Sequence, residues 1–366
     1  MKPSRQKLRI LIAGGGTGGH LFPGISIAEE FKDQKQCDIR FVGTKRGLEY
    51  KILPKTPFHL YTIPISGLYR VGFKKKLLTL LKLPFAIFKS IAVLLTFRPH
   101  LVIGIGGYAS GPVLAMAIVL RKKTIIQEQN AFPGMTNRIL GKYVDLAFVP
   151  FENVKQHFRH AVVVGNPIRE AIKKSAPFTH TTPPERTVIS IIGGSQGAHV
   201  INKGVAGMLA ALTQSELNVK IIHQTGKGDY LWLKEEYNNN QDLEADVLEF
   251  VDDMVEFYRQ SHLIISRAGA STINEIIAMG KASILIPIAV SSGDHQRENA
   301  KVMTEANASI MIEEKNLTPE RLLEAITHLV QKPESLIEMG NSARGLYGGD
   351  AAQKIVSSAQ KQFNLP

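Results

Sequence analysis

Residues 13–20 read AGGGTGGH, directly after the apolar run LRILIA of residues 8–13. A β-type run that ends in glycines and passes into a helix-like segment opens a βα unit. Gly14, Gly16 and Gly19 satisfy G-x-G-x-x-G. Such a loop lets backbone N–H groups approach a phosphate or sugar closely, at a helix N-terminus that favours anions. A dinucleotide loop also needs an acid at the end of the second strand, about 20 residues on. Here the second strand, 38–42, runs into FVGTKRG with no carboxylate at that point. A dehydrogenase reading is weakened accordingly, and a tight turn without a ligand is the plain alternative. His20 closes the loop. A neutral imidazole there can take a proton from a hydroxyl; a loop-bracing histidine fits the spacing equally well.

Working outward, the pattern alternates. A helix is expected over 22–32, a strand over 59–64 and an apolar helix over 73–97 broken at Pro84. Strands follow at 100–104, 123–128, 146–149 and 161–164, with helices at 110–120 and 137–142. Residues 172–186 are polar and rich in Pro and Thr, and then the opening pattern restarts as TVISIIGGSQGAH from Thr187. Strands are expected at 219–223, 247–251, 263–266 and 283–287, and the chain closes on the helical AAQKIVSSAQKQF. This alternation predicts an α/β protein of two Rossmann-like, doubly wound parallel-sheet domains facing a cleft. Ligands would bind beyond the carboxyl ends of the strands.

The net charge is +12, and its location is informative. Between Glu49 and Glu128 there is no acidic residue, while twelve Lys or Arg fall there; the rest of the chain is balanced. Such a local excess suggests an anionic surface as partner. Within it, residues 65–98 mix Leu, Phe and Ile with Lys74, Lys75, Lys76, Lys82 and Lys89. A spanning helix needs about 20 apolar residues with few charges, and Lys82, Pro84 and Lys89 interrupt the run. Lying on an anionic membrane face fits better, against the alternative of a core helix with a solvated lysine edge. Nucleic acid is disfavoured, because the stretch is aliphatic rather than studded with stacking aromatics. Cys37 is the single cysteine, which excludes a disulfide framework or a cysteine metal cluster and points to a reducing compartment. The apolar run 8–13 is too short for a signal-peptide core, so no targeting segment is expected.

Three further motifs carry chemistry. GGSQGA, residues 193–198, is a second strand-to-helix phosphate loop, with the Ser195 hydroxyl available to an oxyanion. RAGASTINE, residues 267–275, places Glu275 in a following helix, where one carboxylate can accept both hydroxyls of a ribose; a solvated helix glutamate is the alternative. DHQRENA, residues 294–300, sets Gln296 and Asn299 at a helix start, where amides read sugar hydroxyls. His295 has no second histidine at metal spacing and reads as structural.

Together with GIGGYASGP, EQNAFPGMTNR, GNPIRE, HQTG and FVDDM, these motifs in this order resemble the MurG family. These are bacterial undecaprenyl-diphospho-muramoylpentapeptide β-N-acetylglucosaminyltransferases of the GT-B type. The resemblance covers nearly the whole chain. It implies an acceptor- and membrane-binding domain over 1–165, completed by a C-terminal helix at about 346–366, and a UDP-GlcNAc-binding domain over 166–345. By motif, Ser195 and Arg169 would contact the donor diphosphate, and Val251 would pack by the uracil. Ala270, Ser271, Thr272, Ile273, Asn274 and Glu275 would line the nucleotide, with Glu275 on the ribose and Gln296 on the donor sugar. Thr17, Gly18, Gly19 and Asn130 would face donor sugar and acceptor from the first domain.

The acceptor implied is lipid I, a membrane-borne diphosphate, and the product lipid II for peptidoglycan synthesis. The protein would then work peripherally at the cytoplasmic face of the bacterial inner membrane. The implied reaction is a single inverting displacement in which the C4 hydroxyl of the muramoyl sugar attacks, His20 takes or relays its proton and UDP leaves. No cofactor or metal is implied; helix dipoles and Arg169 would balance the leaving charge. One departure is visible: the family often has His before EQN, and here Gln127 stands there. A UDP-GlcNAc 2-epimerase of the same plan, or a peripheral membrane protein that only binds nucleotide sugar, are the rival readings.

Overall fold

This computed structural model describes residues 7–34, 36–65, 73–176, 182–194, 196–289 and 294–365, with side chains for all of these except 73–80. The chain divides into two compact units: residues 1–169 with 348–366, and residues 170–347.

In the first unit the strands are β1 (Leu8–Ala13), β2 (Cys37–Gly43), β3 (His59–Thr62), β4 (Leu101–Gly104), β5 (Lys123–Gln127), β6 (Leu146–Val149) and β7 (Ala161–Val163). They form one parallel sheet in the order β3-β2-β1-β4-β5-β6-β7. The helices are α1 (Gly18–Gln34), α2 (Glu49–Ile52), α3 (Phe73–Phe97), α4 (Ser110–Val119) and α5 (Met135–Leu140). β1 shows why the sheet is covered on both sides. Leu8, Ile10 and Ile12 enter one apolar cluster, and Leu11 and Ala13 enter another. Successive side chains of a strand point to opposite faces, so a strand that buries apolar side chains on both faces, as β1 does on either side of Arg9, is stable only between two helix layers.

The second unit contains α6 (Glu170–Ser175), β8 (Thr187–Ile192), α7 (His199–Thr213), β9 (Val219–Gln224), α8 (Tyr230–Asn238), β10 (Ala245–Leu248), α9 (Met254–Gln260), β11 (Leu263–Ser266) and α10 (Ala270–Met279). It continues through β12 (Ala282–Leu285), α11 (His295–Glu305), β13 (Ile310–Met311), α12 (Pro319–Val330) and α13 (Pro333–Gly345). Its parallel sheet runs β10-β9-β8-β11-β12-β13. The last helix, α14 (Ala351–Phe363), belongs to the first unit, where Ile355, Val356 and Ala359 join the cluster that holds Ile25, Ala28 and Phe31 of α1. Asp350 caps α14 by accepting the Gln353 N–H at 3.1 Å.

In both sheets the strand order reverses beside the first strand, between β1 and β4 and between β8 and β11. The connections leave in opposite directions there, which opens a crevice at the carboxyl ends of the strands. The glycine loops lie at those ends.

Three elements differ from the sequence expectations. α1 begins at Gly18, so Gly18, Gly19 and His20 form its first turn rather than a preceding loop. α3 runs unbroken from Phe73 to Phe97 with Pro84 inside it. A proline costs the ring clash and one backbone hydrogen bond. Here Ala86, Leu94 and Phe97, buried against the sheet and α4, hold the helix through it. The strand expected over 247–251 ends at Leu248, which leaves Val251 in the loop before α9.

Candidate functional site

The first site lies at the switch point of the first sheet. The loop after β1 touches the loop after β4: Gly15 N–H donates to Gly106 O at 3.3 Å. Gly106, at φ +81°, has no room for a side chain, because a Cβ there would stand 2.9 Å from His20 Nδ1. His20 is half-buried in the first turn of α1, and its Nδ1 lies 2.8 Å from Gln129 Oε1. Among the described residues no hydrogen bond engages its Nε2. The exposed Thr17 starts α1 through its carbonyl, which accepts the N–H groups of His20 and Leu21.

The glycine loop is not empty. Glu49, 1% exposed, reaches it from α2. Its Oε2 accepts the Gly16 N–H at 2.7 Å, and its Oε1 accepts the Thr44 N–H at 2.8 Å and the Thr44 hydroxyl at 3.1 Å. One N–H of this loop is therefore taken by the chain's own carboxylate.

The EQN motif is built in the same way. Glu128 is buried, and its two oxygens accept from the backbone of Gln129, Asn130 and Gly134 and from the side-chain amides of Asn130 and Asn137. That cage sets Asn130, half-buried, at the mouth of β5. Gln127, which replaces the histidine that the resemblance implies, is fully buried and donates to Asn166 Oδ1 at 2.8 Å. It therefore braces the segment from within. Glu49 and Glu128, which bound the acid-free stretch, are thus both interior.

The second site lies at the switch point of the second sheet. The loop after β8 packs on the loop after β9 so closely that a Cβ at Gly197 would meet Thr225 O at 2.0 Å. α7 and α10 begin at Ala198 and Gly269, neither of which has a side chain able to cap the first N–H groups. α9, α12 and α14 are capped by Asp253, Thr318 and Asp350, whereas α4, α5, α8, α11 and α13 lack a side-chain cap as α7 and α10 do. The open helix starts face the carboxyl ends of β8 and β11, and an uncapped helix N-terminus attracts anions. Ser195 lies outside the described residues. Beneath the loop runs a polar chain in which Asn202 binds Thr225 O, Asp229 and His223, and His223 binds the Tyr237 hydroxyl.

On α10, Ala270, Ser271 and Thr272 are half-buried, while Ile273, Asn274 and Glu275 are buried. Ile273 is a packing residue, 1% exposed. Glu275 is no solvated helix glutamate: its Oε2 accepts the hydroxyl of the buried Tyr258 at 3.0 Å. Val251 is buried. Gln296 accepts the Ile288 N–H through Oε1 at 3.0 Å, which turns its amide N–H groups outward from that bond. Asn299 is spent on Ala268 O at 3.1 Å. Arg169 is half-buried at the end of the first unit, immediately before α6.

Residues 10–149 match the glycosyltransferase family 28 N-terminal domain, and residues 188–362 match the glycosyltransferase family 28 C-terminal domain. A protein of Syntrophus aciditrophicus (strain SB) named UDP-N-acetylglucosamine--N-acetylmuramyl-(pentapeptide) pyrophosphoryl-undecaprenol N-acetylglucosamine transferase is 43% identical over 361 residues, 98% of this chain and 99% of its own. The chain belongs to the MurG family. A relative of the same name from Geobacter sp. (strain M21) is 41% identical over 96% of this chain and 95% of its own. The crystal structure of Acinetobacter baumannii MurG superposes with a TM-score of 0.80 at 29% identity, covering 97% of this chain and 99% of that one. A putative UDP-N-acetylglucosamine 2-epimerase from Listeria monocytogenes has the same fold, with a TM-score of 0.69 at 15% identity over 98% and 97% of the two chains. That likeness is of fold alone.

Three residues that shape these sites carry no signal of their own in the sequence. Glu49, Gln129 and Tyr258 reach their partners by tertiary contact. Gln129 stands inside EQN and Tyr258 inside DMVEFY, but only the structure says what each touches.

Proposed function

We propose that this MurG-family chain moves GlcNAc from UDP-GlcNAc to the C4 hydroxyl of the MurNAc-pentapeptide of lipid I, giving lipid II with inversion at the anomeric carbon. The second unit is the donor domain. The uncapped starts of α7 and α10, with Ser195 and Arg169, hold the diphosphate; Val251 lies by the uracil, Glu275 takes the ribose, and Gln296 reads the sugar. Thr17, Gly18, Gly19 and Asn130 serve the donor sugar and acceptor in the first unit. The acceptor hydroxyl attacks the anomeric carbon, the bond to the β-phosphate oxygen breaks, and UDP carries away the electron pair. His20 receives the hydroxyl proton. The observation that carries this reading is the placement of His20, half-buried at the switch point with Nε2 unengaged among the described residues. His20→Ala should lower kcat by about 10²–10⁴-fold while UDP-GlcNAc binding persists.

The same reading puts the first unit on a membrane. Among the described residues no helix is long and apolar enough to cross one. What supports lateral docking is α3. It buries Ala86, Ser90, Leu94 and Phe97, yet turns Leu81, Phe85, Phe88 and Leu95 outward at 61%, 68%, 72% and 55% exposure. Lys82, Lys89 and Arg98 are exposed beside them; Lys74, Lys75 and Lys76 lie outside the described side chains. Apolar side chains at the acyl boundary with lysines among anionic headgroups is the arrangement of an interfacial helix. The protein would thus sit peripherally on the cytoplasmic face of the inner membrane, where its acceptor is anchored.

The test is product mass after mixing the protein with UDP-GlcNAc and a short-chain lipid I analogue, with EDTA present. A product heavier by one GlcNAc, with UDP released, supports the transferase without metal. Isomerised UDP-GlcNAc and no transfer overturns it in favour of an epimerase.

A further inference from the structure

The hydrogen bonds around His20 fix more than its position. Gln129 is 1% exposed, and its Nε2 faces the backbone carbonyl of Ile105 at 3.0 Å, the carbonyl of Gln127 at 3.2 Å and the side-chain oxygen of Gln127. All three are acceptors. Turning the amide over would set an oxygen against three oxygens in a buried site, which costs the desolvation of each unpaired group. Gln129 Oε1 therefore points at His20. The neighbouring amides are oriented independently by backbone carbonyls. Gln127 donates to Glu128 O at 3.1 Å as well as to Asn166 Oδ1, and Asn166 donates to Gln129 O at 2.7 Å. The chain of amides runs one way only, and it ends on His20 Nδ1.

An amide oxygen accepts and never donates. We infer that Gln129 is a positioning residue which holds neutral His20 with its proton on Nδ1, so that Nε2 carries the lone pair. The inference rests on the reading of His20 as the base, and it says which nitrogen acts and why. The hydroxyl proton of the acceptor passes to Nε2, giving an imidazolium whose Nδ1–H remains bonded to Gln129. A glutamine in this role differs from a carboxylate. It selects the tautomer and orients the ring through a dipole, without adding a charge beside the base. Gln127 is part of the device, because its side-chain oxygen occupies one Gln129 N–H. In this chain the residue that stands in place of the family's histidine thus helps to orient the active one.

The test reads the tautomer directly. Long-range ¹H–¹⁵N correlation of the full-length protein labelled in its histidine rings separates protonated from unprotonated ring nitrogens. The His20 signals are identified by their loss in His20→Gln. The expected result for the unmodified protein is a protonated Nδ1 and an unprotonated Nε2. A protonated Nε2, or an averaged pair, overturns the inference, and this measurement needs no folded Gln129 variant. In Gln129→Met the pattern should average or reverse, and kcat should fall at least about tenfold with the KM for lipid I analogue within about twofold. A uniform rise in KM with kcat unchanged and the His20 signals unmoved would mean that Gln129 only packs, and overturns the inference. A tautomer that moves while kcat stays the same upholds the assignment and removes His20 as the base.

Discussion

The Glu49 carboxylate accepts the Gly16 N–H at 2.7 Å, inside the glycine loop that follows β1. Its other oxygen holds Thr44 after β2, so one buried side chain ties two βα loops together. Glu49→Ala removes three hydrogen bonds to a buried carboxylate and should cost about 2 kcal/mol. Glu49→Gln keeps one acceptor and should cost about half as much. Urea unfolding of both variants checks the order; equal stability of Glu49→Ala and the parent chain would rule out this brace.

Tyr258 donates to Glu275 Oε2 at 3.0 Å, with both side chains buried. If Glu275 takes the ribose, Tyr258 orients it. Tyr258→Phe should raise the KM for UDP-GlcNAc by about fivefold, near 1 kcal/mol, and leave kcat close to normal. Glu275→Gln should do more. A Tyr258→Phe enzyme with unchanged donor KM would show that the bond only fills the core.

The outward face of α3 predicts a separable membrane defect. Phe85→Ser with Phe88→Ser removes two exposed rings and no buried contact, so stability should change by less than about 0.5 kcal/mol. Sedimentation with anionic vesicles should drop at least about tenfold. Transfer to a water-soluble lipid I analogue should be unaffected. Undiminished vesicle binding would move the membrane contact elsewhere.

Burial holds the His223 imidazole down at about 3, despite the opposing pull of Asp229. The unfolded chain takes up this proton near pH 6.5, the folded chain only near pH 3. Between those values the unfolded state binds more protons, so stability falls as pH drops, by about 2–3 kcal/mol from this group alone by pH 4.5. Urea midpoints at pH 7.5, 5.5 and 4.5 measure the slope, and His223→Gln should flatten it. An equal slope in the two proteins would assign the acid sensitivity to other groups.

The glycine loops, the two parallel sheets and the order of the motifs were legible because each depends on neighbours in sequence. A strand ending in glycine, a helix starting on it and an apolar run between two helix layers are local patterns with fixed periods. They were enough for the fold and for His20, Glu275 and Gln296 as candidates. The α1 start and the intact α3 were less legible, because packing rather than propensity decides them. Ile273 shares the RAGASTINE motif with Glu275, yet its side chain is buried as packing.

The sequence by itself determined where the candidate ligand-binding backbone lies: two strand–glycine–helix turns, repeated, with polar residues following each. Tertiary structure alone decided what those turns do. Glu49 closes the first loop from 33 residues away, Gln129 meets His20 across 109, and Tyr258 meets Glu275 across 17. Hydrogen bonds between polar side chains have no period and no composition. Their partners are set by which strand ends the sheet order brings together, and that is known only once the chain is folded.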